Sequence, residues 1–122
     1  MGNVEKRLAQ LGLTLPPCPV PVANYVVFRE AGQMIYTAGQ TAGQADGTTL
    51  YPGKVGAEVS VEQGYEAARL AALRLVSELA AAGDLDSIRL VKLNGYVNAA
   101  PGFEAHPAVV NDGLQARENV VV

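Results

Sequence analysis

Met34-Ile-Tyr-Thr-Ala-Gly-Gln40 is the stretch of this sequence that decides the fold, together with Tyr25-Val-Val-Phe28 just before it. Residues 24–30 alternate in the way a strand does, Ala31-Gly32 can turn the chain, and residues 33–38 form a second strand. We therefore predict a β-hairpin, with both strands more than half buried. The second strand ends in small residues, and such a corner lets backbone amides and one carboxamide face a ligand.

Composition bounds the class of protein. The 122 residues suit one domain, and 49% hydrophobic with 17% charged residues are ordinary for a folded globule. The net charge of -3 and nine scattered basic residues argue against binding to nucleic acid, since that needs clustered Lys and Arg. Cys18 is the only cysteine and His106 the only histidine, so one chain forms no internal disulfide and no Cys/His zinc set. The simplest interpretation is a reducing environment and a protein with neither metal nor cofactor.

The first residues of the sequence bear on its location. Met1-Gly-Asn-Val-Glu-Lys-Arg-Leu8 lacks the continuous apolar core of a signal peptide. No apolar run approaches the ~20 residues that cross a bilayer. We therefore expect a cytoplasmic protein with no membrane partner.

A short helix and two irregular segments flank the hairpin. Asn3 can cap a helix that Gly12 ends. Four prolines make residues 14–22 an extended connector, because proline removes a backbone donor. Residues 39–56 contain five glycines and are typical of a long loop.

The clearest helix of the sequence follows that loop. Ser60-Val-Glu-Gln63 fits a capping box, and an alanine-rich pattern continues to Ala82, with Gly83 after it. Arg74 and Glu78 have i,i+4 spacing and are interpreted as an exposed pair. This helix is expected to be scaffold that packs on a sheet.

Residues 88–98 predict a further strand, because their polarity alternates. One face, with Val91 and Val97, would contact the core, and the other, with Tyr96 and Asn98, is polar. The polar face either lines a cavity or subunit contact, or is simply exposed to solvent.

The order of these elements resembles the YjgF/RidA family, in the branch labelled endoribonuclease L-PSP. The resemblance also rests on Leu11-Gly-Leu-Thr-Leu-Pro-Pro17, Tyr51-Pro-Gly-Lys-Val-Gly56 and Gly64-Tyr-Glu-Ala-Ala-Arg-Leu70, and it covers roughly residues 5–111. It implies an α+β, chorismate-mutase-like fold, in which helices pack on one face of a mixed sheet. It also implies a homotrimer with clefts between its subunits.

The characterised members of that family hydrolyse reactive enamines and imines to 2-keto acids and ammonia. The resemblance therefore implies a small-molecule imine or keto-acid ligand, and no cofactor. It assigns Tyr25, Gly39, Gln40 and Phe103 to substrate binding. A non-catalytic binding protein of the same fold is an alternative, and an endoribonuclease is a weaker one.

The sequence departs from the family pattern at three places. Ala38 replaces a serine of the best-studied deaminases, and Pro101 replaces an asparagine, so two polar contacts are absent. Compared with the family, the single domain over residues 1–122 is expected to be incomplete at its carboxyl end. Arg117 is either the family's catalytic, carboxylate-binding arginine or an ordinary surface charge.

Overall fold

The computed structural model describes residues 2–20 and 24–111. Its helices and strands follow in the order α1, β1, β2, α2 and a short 3-10 helix, and residues 106–111 are helical as well. The bounds are Asn3–Gln10 for α1, Phe28–Ala31 for β1, Met34–Thr37 for β2, Val61–Ala82 for α2 and Leu85–Ser87 for the 3-10 helix. The predicted α+β class is confirmed.

The predicted hairpin is confirmed, but its strands are shorter than the predicted 24–30 and 33–38, and its turn lies at residues 32–33 rather than at Ala31-Gly32. Strands β1 and β2 pair antiparallel, from Phe28 opposite Thr37 to Ala31 opposite Met34. Gly32 opens the two-residue turn with a φ of 60°, the left-handed conformation that a tight hairpin requires at this position. The turn therefore fixes the register, and with it the side chains that share each face.

The prediction that both strands are more than half buried is wrong. Within the two strands only Phe28 and Ile35 are partly buried, and the other strand residues are exposed. Ile35 packs against the main core, whereas the opposite face of the hairpin carries Tyr36, which is 60% exposed. The described chain therefore packs on the face that carries Ile35 and leaves the face that carries Tyr36 exposed.

Helix α2 forms as predicted, because local signals define both of its ends. Ser60 Oγ accepts a hydrogen bond from Gln63 N at 3.1 Å, and Gln63 Oε1 accepts one from Ser60 N at 3.0 Å. This is the reciprocal capping box. Gly83 follows the last helical residue. The 22 residues give a helix about 33 Å long, and both apolar clusters include residues of this helix.

Two apolar clusters form along α2. The main cluster joins α2 to α1 and the 3-10 helix, and the second cluster joins the first turns of α2 to the loop before it and to residues 106–111. Gly64 allows the second contact, since a Cβ there would lie 3.0 Å from Val55 Cγ2. The main cluster contains Val4, Leu8, Leu73, Val76, Leu79 and Leu85, and the second contains Val55, Val59 and Val109.

Helix α1 begins differently from the prediction. Gly2, and not Asn3, occupies the N-cap position. The acceptor comes from elsewhere in the chain: Asp86 takes the backbone N–H groups of Asn3 at 2.8 Å and Val4 at 2.9 Å. A carboxylate suits this end of a helix, where backbone donors lack partners. Gly12, with a φ of 70°, follows the helix as expected.

The prediction of a strand over residues 88–98 is wrong. Within the described ranges this segment pairs only near its end, where Val55 N donates to the Asn98 carbonyl and Ala100 N donates to the Val55 carbonyl, both at 2.9 Å. Alternation favours an extended chain, but a strand also needs a neighbouring backbone to pair with. Strands β1 and β2 pair with each other instead. Val91, expected in the core, is exposed.

Candidate functional site

An open cleft lies where the hairpin meets the small-residue corner at residues 37–40. Its volume is about 580 Å³. Residues from the segment before β1, from both strands and from the corner surround it. Its lining includes Asn24, Tyr25, Arg29, Tyr36, Thr37 and Ala38.

Two of the residues singled out in the sequence analysis, Tyr25 and Ala38, line this cleft. Tyr25 is 44% exposed, so its ring is accessible to a ligand. Ala38 N donates to the Val27 carbonyl at 2.9 Å, which extends the hairpin by one step and holds the corner beside the segment that carries Tyr25. The methyl group of Ala38 offers no hydrogen bond to the cleft.

Arg29 is a cleft residue that the sequence reasoning missed. It lies opposite Tyr36 in the hairpin register, and both residues line the cleft. Its guanidinium is a fork of donors that suits a carboxylate. The predicted turn at Ala31-Gly32 would place Arg29 opposite Met34, whereas the observed turn at residues 32–33 places it opposite Tyr36, so the cleft position of Arg29 depends on a register that the sequence prediction missed by one residue.

Gln40 anchors the corner to α2. Its carboxamide nitrogen donates a hydrogen bond to Glu78 Oε1. Glu78 is 0% exposed, and among the described residues its other carboxyl oxygen, Oε2, has no hydrogen-bond partner. Burial raises the pKa of Glu78 above 4.5, and the hydrogen bond from Gln40 and the charge of Arg74 oppose that rise. The corner is therefore hydrogen-bonded, through Gln40, to a buried carboxyl group of α2.

The interpretation of Arg74 and Glu78 as an exposed pair is wrong. Glu78 is buried and Arg74 is half-buried, with its Nη1 donating to the Thr41 carbonyl at 3.2 Å. The guanidinium also lies over Gly43, where a Cβ would collide with it. Helix α2 is buried on all sides at residues 76–79, because the hairpin, the corner and the connector surround it.

The other predicted site residues lie at different places. Gly39 is exposed in the corner. Phe103 is half-buried against the second cluster, with its ring edge-on to His106 at 5.2 Å between centroids. The cleft lining described above does not include Phe103. Arg117 lies outside the described residues, so its role as the carboxylate-binding group stays a prediction.

The polar positions of residues 88–98 face solvent in the single chain. Tyr96 is 92% exposed, and Asn98, also exposed, donates from Nδ2 to the Gly53 carbonyl at 3.3 Å. The alternative, in which this face lines a cavity or a subunit contact, remains a prediction.

Residues 2–20 and 24–111 hold no group of three or more His, Cys, Asp or Glu side chains placed to bind a metal ion. The helices in these ranges are too short or too polar to cross a membrane.

The described residues form an α+β domain with a capped central helix, a hairpin that contacts it and a cleft beside the hairpin. The sequence profile of the family described as "YjgF/chorismate mutase-like, putative endoribonuclease" matches residues 5–117. The chain belongs to this family, and the predicted chorismate-mutase-like fold is confirmed.

The proteins to which the chain is similar include one named relative and two crystal structures. Protein TCP17 of Trypanosoma cruzi is 39% identical over 112 residues, which are 90% of this chain and 69% of that protein. The crystal structure of Atu1372 of Agrobacterium tumefaciens, a protein of unknown function, matches 97% of this chain and 74% of its own with a TM-score of 0.85 and 36% identity. A "putative endoribonuclease" from Shewanella oneidensis matches 98% and 80%, with a TM-score of 0.85 and 29% identity.

Proposed function

We propose that this protein is a hydrolytic deaminase of the RidA type, which converts a reactive enamine or imine such as 2-aminoacrylate to a 2-keto acid and ammonia. It would act in the cytoplasm, as a homotrimer, without a metal or cofactor. The observation that carries the proposal is the cleft beside the corner, which combines Tyr25, Tyr36 and the guanidinium of Arg29.

Hydrolysis of an imine requires few catalytic groups from the cleft. The enamine becomes an imine, water adds its oxygen to the C=N carbon and a proton to the nitrogen, and the carbinolamine then loses ammonia as the C=O bond forms. An imine carbon is already electrophilic, so the protein mainly orients the substrate and a water. A guanidinium binds the substrate carboxylate, either from Arg29 or from Arg117, and Gly39 and Gln40 supply polar groups of the corner.

The open face of the hairpin supports the homotrimer. Val26 and Tyr36, 50% and 60% exposed, lie on the same part of the surface as Tyr25. Exposed apolar groups beside a cleft suit a subunit contact, since burying them would remove apolar area from water. A second copy would also bring its own residues, Phe103 among them, to the cleft. Light scattering tests this: we expect three times the chain mass of 12.7 kDa.

A coupled assay tests the activity. The protein is mixed with a pyridoxal-phosphate lyase that releases 2-aminoacrylate, and pyruvate formation is followed. We expect acceleration over buffer, and no acceleration would refute the proposal. Arg29→Ala and Arg117→Ala identify the carboxylate-binding group, because only its loss should abolish the acceleration. Arg89→Ala, an exposed arginine absent from the cleft lining, is the matched control.

A second candidate is a non-catalytic protein that binds keto or amino acids. Ala38 favours it, because the cleft lining has no hydroxyl at this position. Pro101, with no backbone N–H, removes another donor. Thermal stabilisation by keto or amino acids without turnover would support this function. An unchanged melting temperature across both ligand classes would count against it.

The endoribonuclease description of the family and of the Shewanella protein defines the third candidate. A net charge of -3 does not favour RNA binding, which depends on cationic side chains. Incubation of structured and unstructured RNA with the protein at high concentration decides it. We expect the RNA to remain intact.

A further inference from the structure

Aromatic and apolar residues make up much of the lining of the cleft beside the hairpin. Four of its eight lining residues are Tyr25, Val26, Phe28 and Tyr36. Tyr25, Val26 and Tyr36 are all exposed in the chain, although large apolar side chains usually bury most of their surface. Exposed apolar groups gathered around a cleft are typical of a surface that binds an apolar group.

One charged residue, Arg29, lies among these side chains in the cleft lining. It pairs with Tyr36 in the hairpin register, and residues directly opposite each other in an antiparallel pair share one face of the sheet. The hydrogen bond from Ala38 N to the Val27 carbonyl holds the segment that carries Tyr25 beside the end of β2. A ligand whose anionic group binds Arg29 therefore has aromatic side chains of the lining close to the rest of its structure.

The size of the cleft also bears on its ligand. Its volume of about 580 Å³ lies within the range of roughly 300–1,000 Å³ that is usual for sites of drug-sized ligands. The three-carbon compound 2-aminoacrylate carries a single CH₂ group beyond its α-carbon, so it offers little apolar surface to the tyrosine rings. Because the free energy gained from apolar burial grows with the area buried, these walls favour a ligand with a larger side chain.

We propose that the preferred ligands of this cleft are 2-imino and 2-keto acids with an aromatic side chain, which bind Arg29 through the carboxylate and Tyr25 through the ring. A guanidinium suits a carboxylate, and two aromatic rings attract each other beyond their burial of area. This inference rests on the proposed function for the imine or keto group and narrows its substrate class to the imines of aromatic amino acids. Val26 and Tyr36 also belong to the proposed subunit contact, so the proposal depends on Tyr25 and Arg29.

Three matched ligands test the class in the wild-type protein by isothermal titration calorimetry. The first, 2-oxo-4-phenylbutyrate, has both the ring and the carboxylate; 2-oxobutyrate lacks the ring, and 4-phenyl-2-butanone has a methyl group in place of the carboxylate. We expect the first ligand to bind about tenfold more tightly than either of the others, since it alone engages both groups of the cleft. If either of the others binds as tightly, or if the first does not bind at millimolar concentration, the inference is overturned.

Two variants test where the ligand binds. Tyr25→Ala should reduce the preference for 2-oxo-4-phenylbutyrate over 2-oxobutyrate by about threefold or more. Arg29→Ala should weaken the binding of both keto acids by about tenfold and leave that of the ketone unchanged. Tyr96→Ala and Arg89→Ala remove the same side chains at exposed positions outside the cleft lining, so they are the matched controls and should change neither value. Unchanged affinities in Tyr25→Ala or in Arg29→Ala would overturn the assignment of the ligand to this cleft.

An imine assay separates this inference from the proposed function. An amino-acid oxidase releases the imino acid of phenylalanine or of alanine, and keto-acid formation is followed with and without the protein. We expect kcat/KM to be about tenfold higher for the imine of phenylalanine. The expected binding preference without turnover of either imine leaves the inference standing for the ligand class and removes the proposed function. Turnover with equal kcat/KM for the two imines removes the inference alone.

Discussion

Replacement of Glu78 by glutamine should stabilise the protein at neutral pH. The variant keeps the size of the side chain and an oxygen that accepts from Gln40, but it removes a negative charge from a site that is 0% exposed. A buried polar group without a partner costs about 1–3 kcal/mol, and more when it is charged. The amide that replaces Oε2 also lacks a partner, so part of this cost remains. We expect a gain of about 1–2 kcal/mol in the free energy of unfolding at pH 7, which is a rise of roughly 4–8 °C in melting temperature for a domain of this size.

The stability difference between Glu78→Gln and wild type should depend on pH in a direction that follows from the pKa of Glu78. Burial raises the pKa of Glu78 in the folded protein above 4.5, so the folded state binds this proton more tightly than the unfolded state. The contribution of Glu78 to stability is therefore fully present below 4.5 and is lost as the pH rises through the folded pKa. The advantage of Glu78→Gln over wild type should shrink as the pH is lowered from 8 towards 4.5.

Urea unfolding of wild type, Glu78→Gln and Glu62→Gln across this pH range is the assay. The midpoint should move and the slope should not, because the surface exposed on unfolding is unchanged. Glu62→Gln should show little change at any pH, since its carboxylate is exposed. A Glu78→Gln variant that is less stable than wild type at pH 7, or a gain that does not depend on pH, would refute the reasoning.

Three further predictions concern the scaffold. Leu73→Ala, in the main cluster, should lower the free energy of unfolding by about 3 kcal/mol in urea titrations, whereas Leu11→Ala, at a more exposed site, should cost less. Gly32→Ala should cost about 1 kcal/mol, because φ is positive there, and Gln33→Ala should be near neutral; equal effects of the two would contradict the turn geometry. Asp86→Asn should lower the free energy of unfolding at pH 7. The hydrogen bonds from the backbone amides of Val4 and Asn3 lower the pKa of Asp86 below 3.8 in the folded protein. The contribution of Asp86 to stability is therefore present above pH 3.8 and is lost as the pH falls through the folded pKa. Melting curves of both proteins should therefore converge in acid.

The elements that the sequence predicts well are those with local signals. The capping box at Ser60 and the glycine after Ala82 mark the two ends of α2 without reference to the rest of the molecule. Gly32 sets the turn of the hairpin in the same way. The strand prediction for residues 88–98 is wrong because a strand needs a partner strand that is distant in sequence, and alternating polarity carries no information about that partner.

The candidate site was predictable only in part for the same reason. Tyr25 lines the cleft as predicted, whereas Gln40, absent from that lining, donates a hydrogen bond to Glu78. The i,i+4 spacing of Arg74 and Glu78 predicts a surface position for Glu78, since such pairs are common on exposed helices. Its burial depends on the three segments that surround α2 at this turn, and their arrangement is a property of the tertiary structure.

The contact between Asp86 and α1 has a consequence for the order of folding. Helix α1 has eight residues, too few to persist alone in water. Its first amides are bound by a residue 82 and 83 positions away in the chain, and its buried side chains Val4 and Leu8 pack on the main cluster. Because closing so long a loop costs chain entropy, we expect α1 to become stable only when α2 and the 3-10 helix are in place. We therefore expect the amino-terminal residues, although first in the chain, to be among the last to acquire structure.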